Sequence, residues 1–251
     1  MTEDDIRNKF TEITREITEN GISRVGIGTY KEKTTHHILK SFFDPDESHH
    51  EIPCGAYVAD IMNEDGITEI QTSGFATIRD RLEFFSTDHN VTVVYPVIAG
   101  KRLVWIDPAD GSVTEPKKSP KKGNVLQILP ELYGISGLFG RPTLRFRVVL
   151  LEATEYRVMD GWGNGGKRGS HKRETIPTGL VDIVDIATSD DISALIPFSG
   201  TDKFTSKEFA KACGFSWKST RDTGMALKFL VNTGIIEKAG KKGNAYLYVK
   251  K

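Results

Sequence analysis

Residues 91–98 (VTVVYPVI) constrain the fold more than any other segment. An unbroken apolar run rich in β-branched side chains reads as a strand covered on both faces, which places it inside an α/β sheet. The chain before it supplies partners for such a layer. Ile6, Phe10, Ile13 and Ile17 recur at helical spacing and predict an amphipathic helix over 3–19, stopped by Asn20-Gly21. A second helix is predicted over 33–43, with Ile38, Leu39, Phe42 and Phe43 on one side and Asp44-Pro45 ending it. Extended runs follow at 50–53 and 56–62, and the polar turn Asn63-Glu64-Asp65-Gly66 leads into a third at 67–72. Residues 75–85 are helical in pattern. Ala99-Gly100-Lys101-Arg102 is predicted to turn the apolar strand into another over 103–107. Beyond it, 117–122 reads as an exposed basic loop, 125–133 as helix and 144–158 as β-rich. Residues 161–173 (GWGNGGKRGSHKR) read as a glycine-rich basic loop.

Composition narrows the class. Hydrophobic residues make up 38% and charged residues 27% of 251, the balance of a soluble globular protein of one large domain or two ordinary ones. No apolar stretch has the length of a membrane span, so no membrane partner is expected. The acidic start, with no hydrophobic core of a signal, argues against secretion. Cys54 and Cys213 form no CxxC pair, which speaks against a disulfide framework or thiolate zinc site and fits a cytoplasmic protein. The zero net charge hides an asymmetry. Residues 200–251 carry 11 Lys and Arg against 4 Asp and Glu. A basic end on a neutral chain points to a polyanion, with a merely solvated lysine surface as the alternative.

The most informative polar feature is Asp60 followed by Glu69-Ile70-Gln71. With 63–66 as a four-residue loop, Asp60 faces Glu69. With 65–66 alone as the loop, it faces Gln71. Side chains alternate along a strand, so either register puts Asp60, Glu69 and Gln71 on one side of the sheet. Two carboxylates held together repel, and a proton, a basic neighbour or a divalent cation relieves this. Mg²⁺ favours one or two carboxylates with water and phosphate oxygens. A plain solvent-facing acidic pair is the alternative. His36-His37 and His49-His50 have no ligand spacing, and Asp44-Pro45-Asp46 reads as a turn.

The order helix, three strands, helix, strand, with Asp on the second strand and Glu-x-Gln on the third, resembles the PD-(D/E)xK nuclease superfamily over about residues 30–107. The resemblance implies a restriction-endonuclease-like α/β fold, a mixed sheet flanked by helices. It also implies a catalytic set of Glu32, Asp60, Glu69 and Gln71, with Asp60 and Glu69 as ligands of Mg²⁺ (or Mn²⁺). Gln71 departs from the usual lysine. A neutral amide orients water or phosphate but supplies no positive charge.

At the C-terminus, Thr205-Ser206-Lys207-Glu208 is a capping-box pattern that starts a helix ended by Gly214. A second helix runs from Ser216 to about Thr233, and two strands enclose the basic turn 240–244. This order resembles the winged-helix family and implies a C-terminal winged-helix DNA-binding domain. DNA contacts are expected from Lys218, Ser219, Thr220 and Arg221 on the second helix and from Lys241 and Lys242 on the wing. Lys167, Arg168, Lys172 and Arg173 of the glycine-rich loop are further candidates, with a plain surface loop as the alternative. The sequence thus reads as a nuclease-like domain over 1–189 and a winged helix over 190–251. Its expected activity is that of a metal-dependent DNA endonuclease with DNA as partner, and a homodimer is compatible. The rival reading is a non-catalytic DNA-binding or regulatory protein that keeps the nuclease-like fold.

Overall fold

The computed structural model describes residues 2–25, 34–161, 169–215 and 220–251, with the backbone alone for 20–25. It is a mixed α/β protein. The chain folds into two compact units, one of Met1–Ser48, Ile98–Gly123 and Leu150–Asp182, the other of His49–Val97, Asn124–Val149 and Ile183–Lys251. The long strands β4 (Val91–Ile106), β6 (Leu144–Gly161) and β7 (Gly169–Ile186) contribute residues to both. The main sheet has the order β1-β2-β3-β4-β6-β7, with β1 at His50–Cys54, β2 at Tyr57–Asn63 and β3 at Gly66–Ile70.

In the second unit β1, β2 and β3 form an antiparallel meander, and β3 then lies parallel to β4. A parallel neighbour requires a crossover. A 3₁₀ turn at Phe75–Ile78 and the helix α3 (Arg79–Asp88) provide it, burying Phe75, Ile78, Leu82 and Phe85. Gly66 closes the β2–β3 turn at φ 121°, and a Cβ there would collide with the Asn90 carbonyl, so only glycine lets Ile67 begin pairing with Val91. A column of rings runs from Tyr95 through Phe75, Phe146 and Phe139 to Phe229. It ties β4 and β6 to the C-terminal helix α7 (Thr220–Asn232). The C-terminal segment of this unit comprises α5 (Ser189–Leu195), β8 (Phe204–Thr205), α6 (Ser206–Ala212), α7, β9 (Ile236–Lys242) and β10 (Ala245–Lys250). Its three strands pair in the order β8-β10-β9. Thr205 caps α6 as expected: its hydroxyl accepts from Glu208 N and the Glu208 carboxylate accepts from Thr205 N at 2.7 Å.

In the first unit α1 (Glu3–Val25) packs on α2 (Thr34–Phe43) through an edge-to-face Phe10–Phe42 contact at 5.3 Å. Glu155 on β6 is buried between Lys101 and Arg157, at 2.5 and 2.6 Å. Burial alone would push its carboxyl up, but the two cations hold it below the ordinary carboxylate range. Among the described residues, no helix is long and apolar enough to cross a membrane.

Several sequence expectations need correction. α1 continues through Asn20-Gly21 to Val25, since a glycine weakens a helix by only about 1 kcal/mol and need not end it. Residues 99–102 make no turn, and β4 runs unbroken to Ile106. Beside Gly100 the carboxylate of the exposed Glu152 lies where a Cβ would go. The basic stretch after it includes a short edge strand, β5 (Lys117–Lys118), paired with β4. β7 begins at Gly169, so the downstream end of the glycine-rich segment is strand.

Candidate active site and nucleic-acid interface

The β2–β3 ladder pairs Ile61 with Thr68, Met62 with Ile67 and Asn63 with Gly66. One step further, this register sets Asp60 opposite Glu69, which places both side chains on one face of the sheet. It is the first of the two registers the sequence allowed. The carboxylates reach across the ladder to each other's strand. Glu69 Oε1 accepts from Asp60 N at 3.2 Å, and Asp60 Oδ2 accepts from Ile70 N at 2.7 Å. Glu69 is fully buried, and its Oε2 lies 2.6 Å from a guanidinium nitrogen of Arg81 in the first turns of α3. Arg81 is a residue that sequence reasoning missed. Its signal was an arginine pair, Arg79 and Arg81, opening the crossover helix that must return past β3.

Gln71 follows β3 directly. Its backbone N donates to Val94 O at 2.9 Å, and its side-chain amide donates to Ser73 O. The turn it reaches is held by Glu131, whose carboxylate accepts from Gly74 N and Phe75 N at 2.8 and 3.1 Å. Glu131 also raises the Tyr95 hydroxyl above its ordinary range, after burial and ahead of Asp222. Glu32 lies outside the described residues.

Two carboxylates on one face are hard oxygen donors of the kind Mg²⁺ accepts together with water and phosphate. Arg81 offsets one of their two charges. Among the described residues, no three His, Cys, Asp or Glu side chains form a metal-ligating group. A cation held by two protein carboxylates would take its other ligands from water and phosphate, and both Glu69 oxygens are already engaged, Oε1 by Asp60 N and Oε2 by Arg81.

The cationic candidates at the C-terminus divide between the described and undescribed chain. Thr220 and Arg221 are exposed at the start of α7, and Lys241 and Lys242 are exposed at the end of β9 beside the Gly243-Asn244 turn. Lys218, Ser219, Lys167 and Arg168 lie outside the described residues. Lys172 and Arg173 are exposed on β7. α7 also packs within its own unit. Phe229 meets Phe139 edge to face at 5.2 Å, and the Lys228 ammonium lies 5.7 Å from the Tyr133 ring centroid on α4 (Leu129–Gly134). Asn124 Nδ2 donates to Cys213 O at 2.9 Å. Burial pushes the Cys213 thiol up to about 12, which removes it as a nucleophile at neutral pH.

The fold and the paired acids define a mixed α/β protein with an acidic pair on adjacent strands and a basic C-terminal segment. The chain belongs to the family described as Domain of unknown function (DUF8091), which matches residues 33–187 and so includes Asp60, Glu69, Gln71 and Arg81. It is similar to an uncharacterized protein of Treponema pallidum (strain Nichols), at 33% identity over 139 residues. That match covers 55% of this chain and 55% of the relative, so the chain aligns with about half the relative's length. No solved structure matches the chain.

Proposed function

We propose that the protein is a divalent-metal-dependent DNA endonuclease that hydrolyses phosphodiester bonds at the Asp60–Glu69 pair, and that its C-terminal segment is a winged-helix module that delivers DNA. The observation that carries this reading is the register that sets Asp60 against Glu69 on one face. The meander β1–β3, the crossover α3 and the parallel β4 support it, because this is the topology a restriction-endonuclease-like core requires. Asp60 and Glu69 hold Mg²⁺ or Mn²⁺. Bound there, the ion supplies Lewis-acid polarisation and a water of lowered pKa. Gln71 orients water or phosphate through its amide. Arg81 brings to Glu69 the positive charge that Gln71 does not supply, and stabilises charge that develops on phosphate. The exposed Arg221, Lys241 and Lys242 neutralise DNA phosphates. Such a protein works beside nucleic acid in the cytoplasm, where Cys54 and Cys213 stay reduced.

One observation favours a second reading, a DNA-binding or regulatory protein without catalysis. Glu69 is wholly buried and already paired with Arg81, as in a purely structural ion pair. Incubation of the full chain with supercoiled, linear and branched DNA, with Mg²⁺ or Mn²⁺ against EDTA, separates the two. Metal-dependent nicking that Asp60→Asn and Glu69→Gln both abolish, with DNA binding kept, is the expected result. DNA binding by an inert wild type gives the second reading, and cleavage that survives in both variants places the chemistry elsewhere.

A further inference from the structure

A groove opens between α6, α7 and the β9–β10 hairpin, all within one compact unit. Its volume is about 610 Å³, within the range of ligand-sized pockets. Ala210, Leu227 and Val231 supply apolar lining, and Lys207, Lys228 and Lys238 supply cations. Among the described residues, no Asp or Glu lines it. The hairpin register explains the remaining wall. Tyr246 pairs with Lys241 and, past a register shift between Leu247 and Tyr248, Tyr248 pairs with Lys238, so these four side chains share one face of the ribbon. Tyr248 is anchored inward by stacking on Phe204 at 6.1 Å. Tyr246 is not covered in this way. It is 45% exposed, and the Lys238 and Lys241 ammonium groups lie 4.5 and 5.0 Å from its ring centroid.

Duplex DNA satisfies surface lysines, but its bases are stacked on one another and offer nothing to an apolar wall or an exposed ring. A single strand offers both phosphates and free base faces, and proteins that bind it combine a cationic groove with aromatic platforms. An exposed cation–π contact is worth only about 0.5–1 kcal/mol. A phosphate can therefore draw Lys238 and Lys241 off the Tyr246 ring, leaving its face to a base, and Lys228 off the Tyr133 ring. We infer that this groove binds single-stranded nucleic acid, with a base stacked on Tyr246 and the flanking phosphates held by Lys207, Lys228, Lys238 and Lys241. This rests on the nucleic-acid-binding part of the proposed function and adds the strand class.

The test is fluorescence anisotropy of the full chain in EDTA. The probes are a labelled thymidine oligonucleotide, a duplex of equal length and an acidic peptide. Tyr246→Leu keeps an apolar side chain but removes the π face. It is expected to weaken single-strand binding roughly tenfold, the loss of one stacked base, while leaving duplex binding unchanged. Tyr246→Phe keeps the ring and is expected to stay within about twofold of wild type. Lys207→Gln/Lys228→Gln, at two exposed positions, is a second variant that does not depend on the hairpin. It should lower the log–log salt slope on the single strand by about 1.4, at roughly 0.7 per lost phosphate contact. Equal affinity for both strand forms with no effect of Tyr246→Leu would overturn the inference while leaving duplex binding intact. Acidic peptide bound as tightly as the oligonucleotide would make the groove a peptide site and overturn it too. No binding of either nucleic acid would remove the underlying reading as well.

Discussion

Removing the Arg81 guanidinium asks how far the buried Glu69 carboxylate depends on it. Arg81→Met keeps most of the apolar stem and loses the charge. The Glu69 side chain is 1% exposed, so water cannot take the guanidinium's place. Breaking one side of a buried ion pair costs about 3–5 kcal/mol, because the charge left behind loses its counter-charge. Two facts pull the estimate to the low end. The Arg81 side chain is 25% exposed, and Glu69 keeps its bond from Asp60 N. A loss of about 3 kcal/mol is expected, which for a chain of this size lowers the melting midpoint by about 6–12 °C. Circular-dichroism melts in EDTA measure it. Glu69→Gln/Arg81→Met removes both charges of the pair and should recover most of the loss. Mg²⁺ adds a third arm. If Glu69 is a metal ligand, the ion replaces the guanidinium as its counter-charge and raises the midpoint of Arg81→Met more than that of wild type, since a ligand stabilises in proportion to its binding. A loss under about 1 kcal/mol would refute the pairing as the source of stability, since exposed pairs contribute no more than that. A double variant no better than the single one would refute the loss of this counter-charge as the cause. An equal response to Mg²⁺ would take Glu69 out of the metal site.

Two further outcomes test the C-terminal segment. Lys241→Ala/Lys242→Ala in the full chain should weaken binding to all duplex sequences alike and reduce the log–log salt slope by about 1.8, at roughly 0.9 per phosphate contact; an unchanged slope means these lysines touch no DNA. Cys213, buried and with its thiol raised to about 12, should resist alkylation in the folded protein at pH 8, while the half-buried Cys54 reacts; rapid labelling of both would show that the α6 region opens readily.

The acidic pair was legible in the sequence because strand parity is insensitive to the loop. Either turn length left Asp60, Glu69 and Gln71 on one face, and the structure had only to choose between two registers. Arg81 was not legible in that way. Its link to Glu69 runs through a crossover, and spacing along the chain does not say which face of a returning helix meets the strand it left. Gly100 misled for a related reason. Ala-Gly-Lys-Arg carries the composition of a turn, but the pairing of Arg102 and Leu103 with Lys118 and Lys117, later in the chain, keeps it extended, and β4 passes straight through. The same distinction applies at the C-terminus. Capping residues, glycine stops and lysine clusters are local signals, and they located α6, α7 and the hairpin. The Phe229 ring on α7 meets Phe139, far away in sequence, and residues 183–251 group with two earlier stretches of the chain. Charge marks the face a segment leaves to solvent. What the opposite face packs against is decided by residues that no local window contains, and for α7 that packing leaves Thr220 and Arg221 exposed at its start.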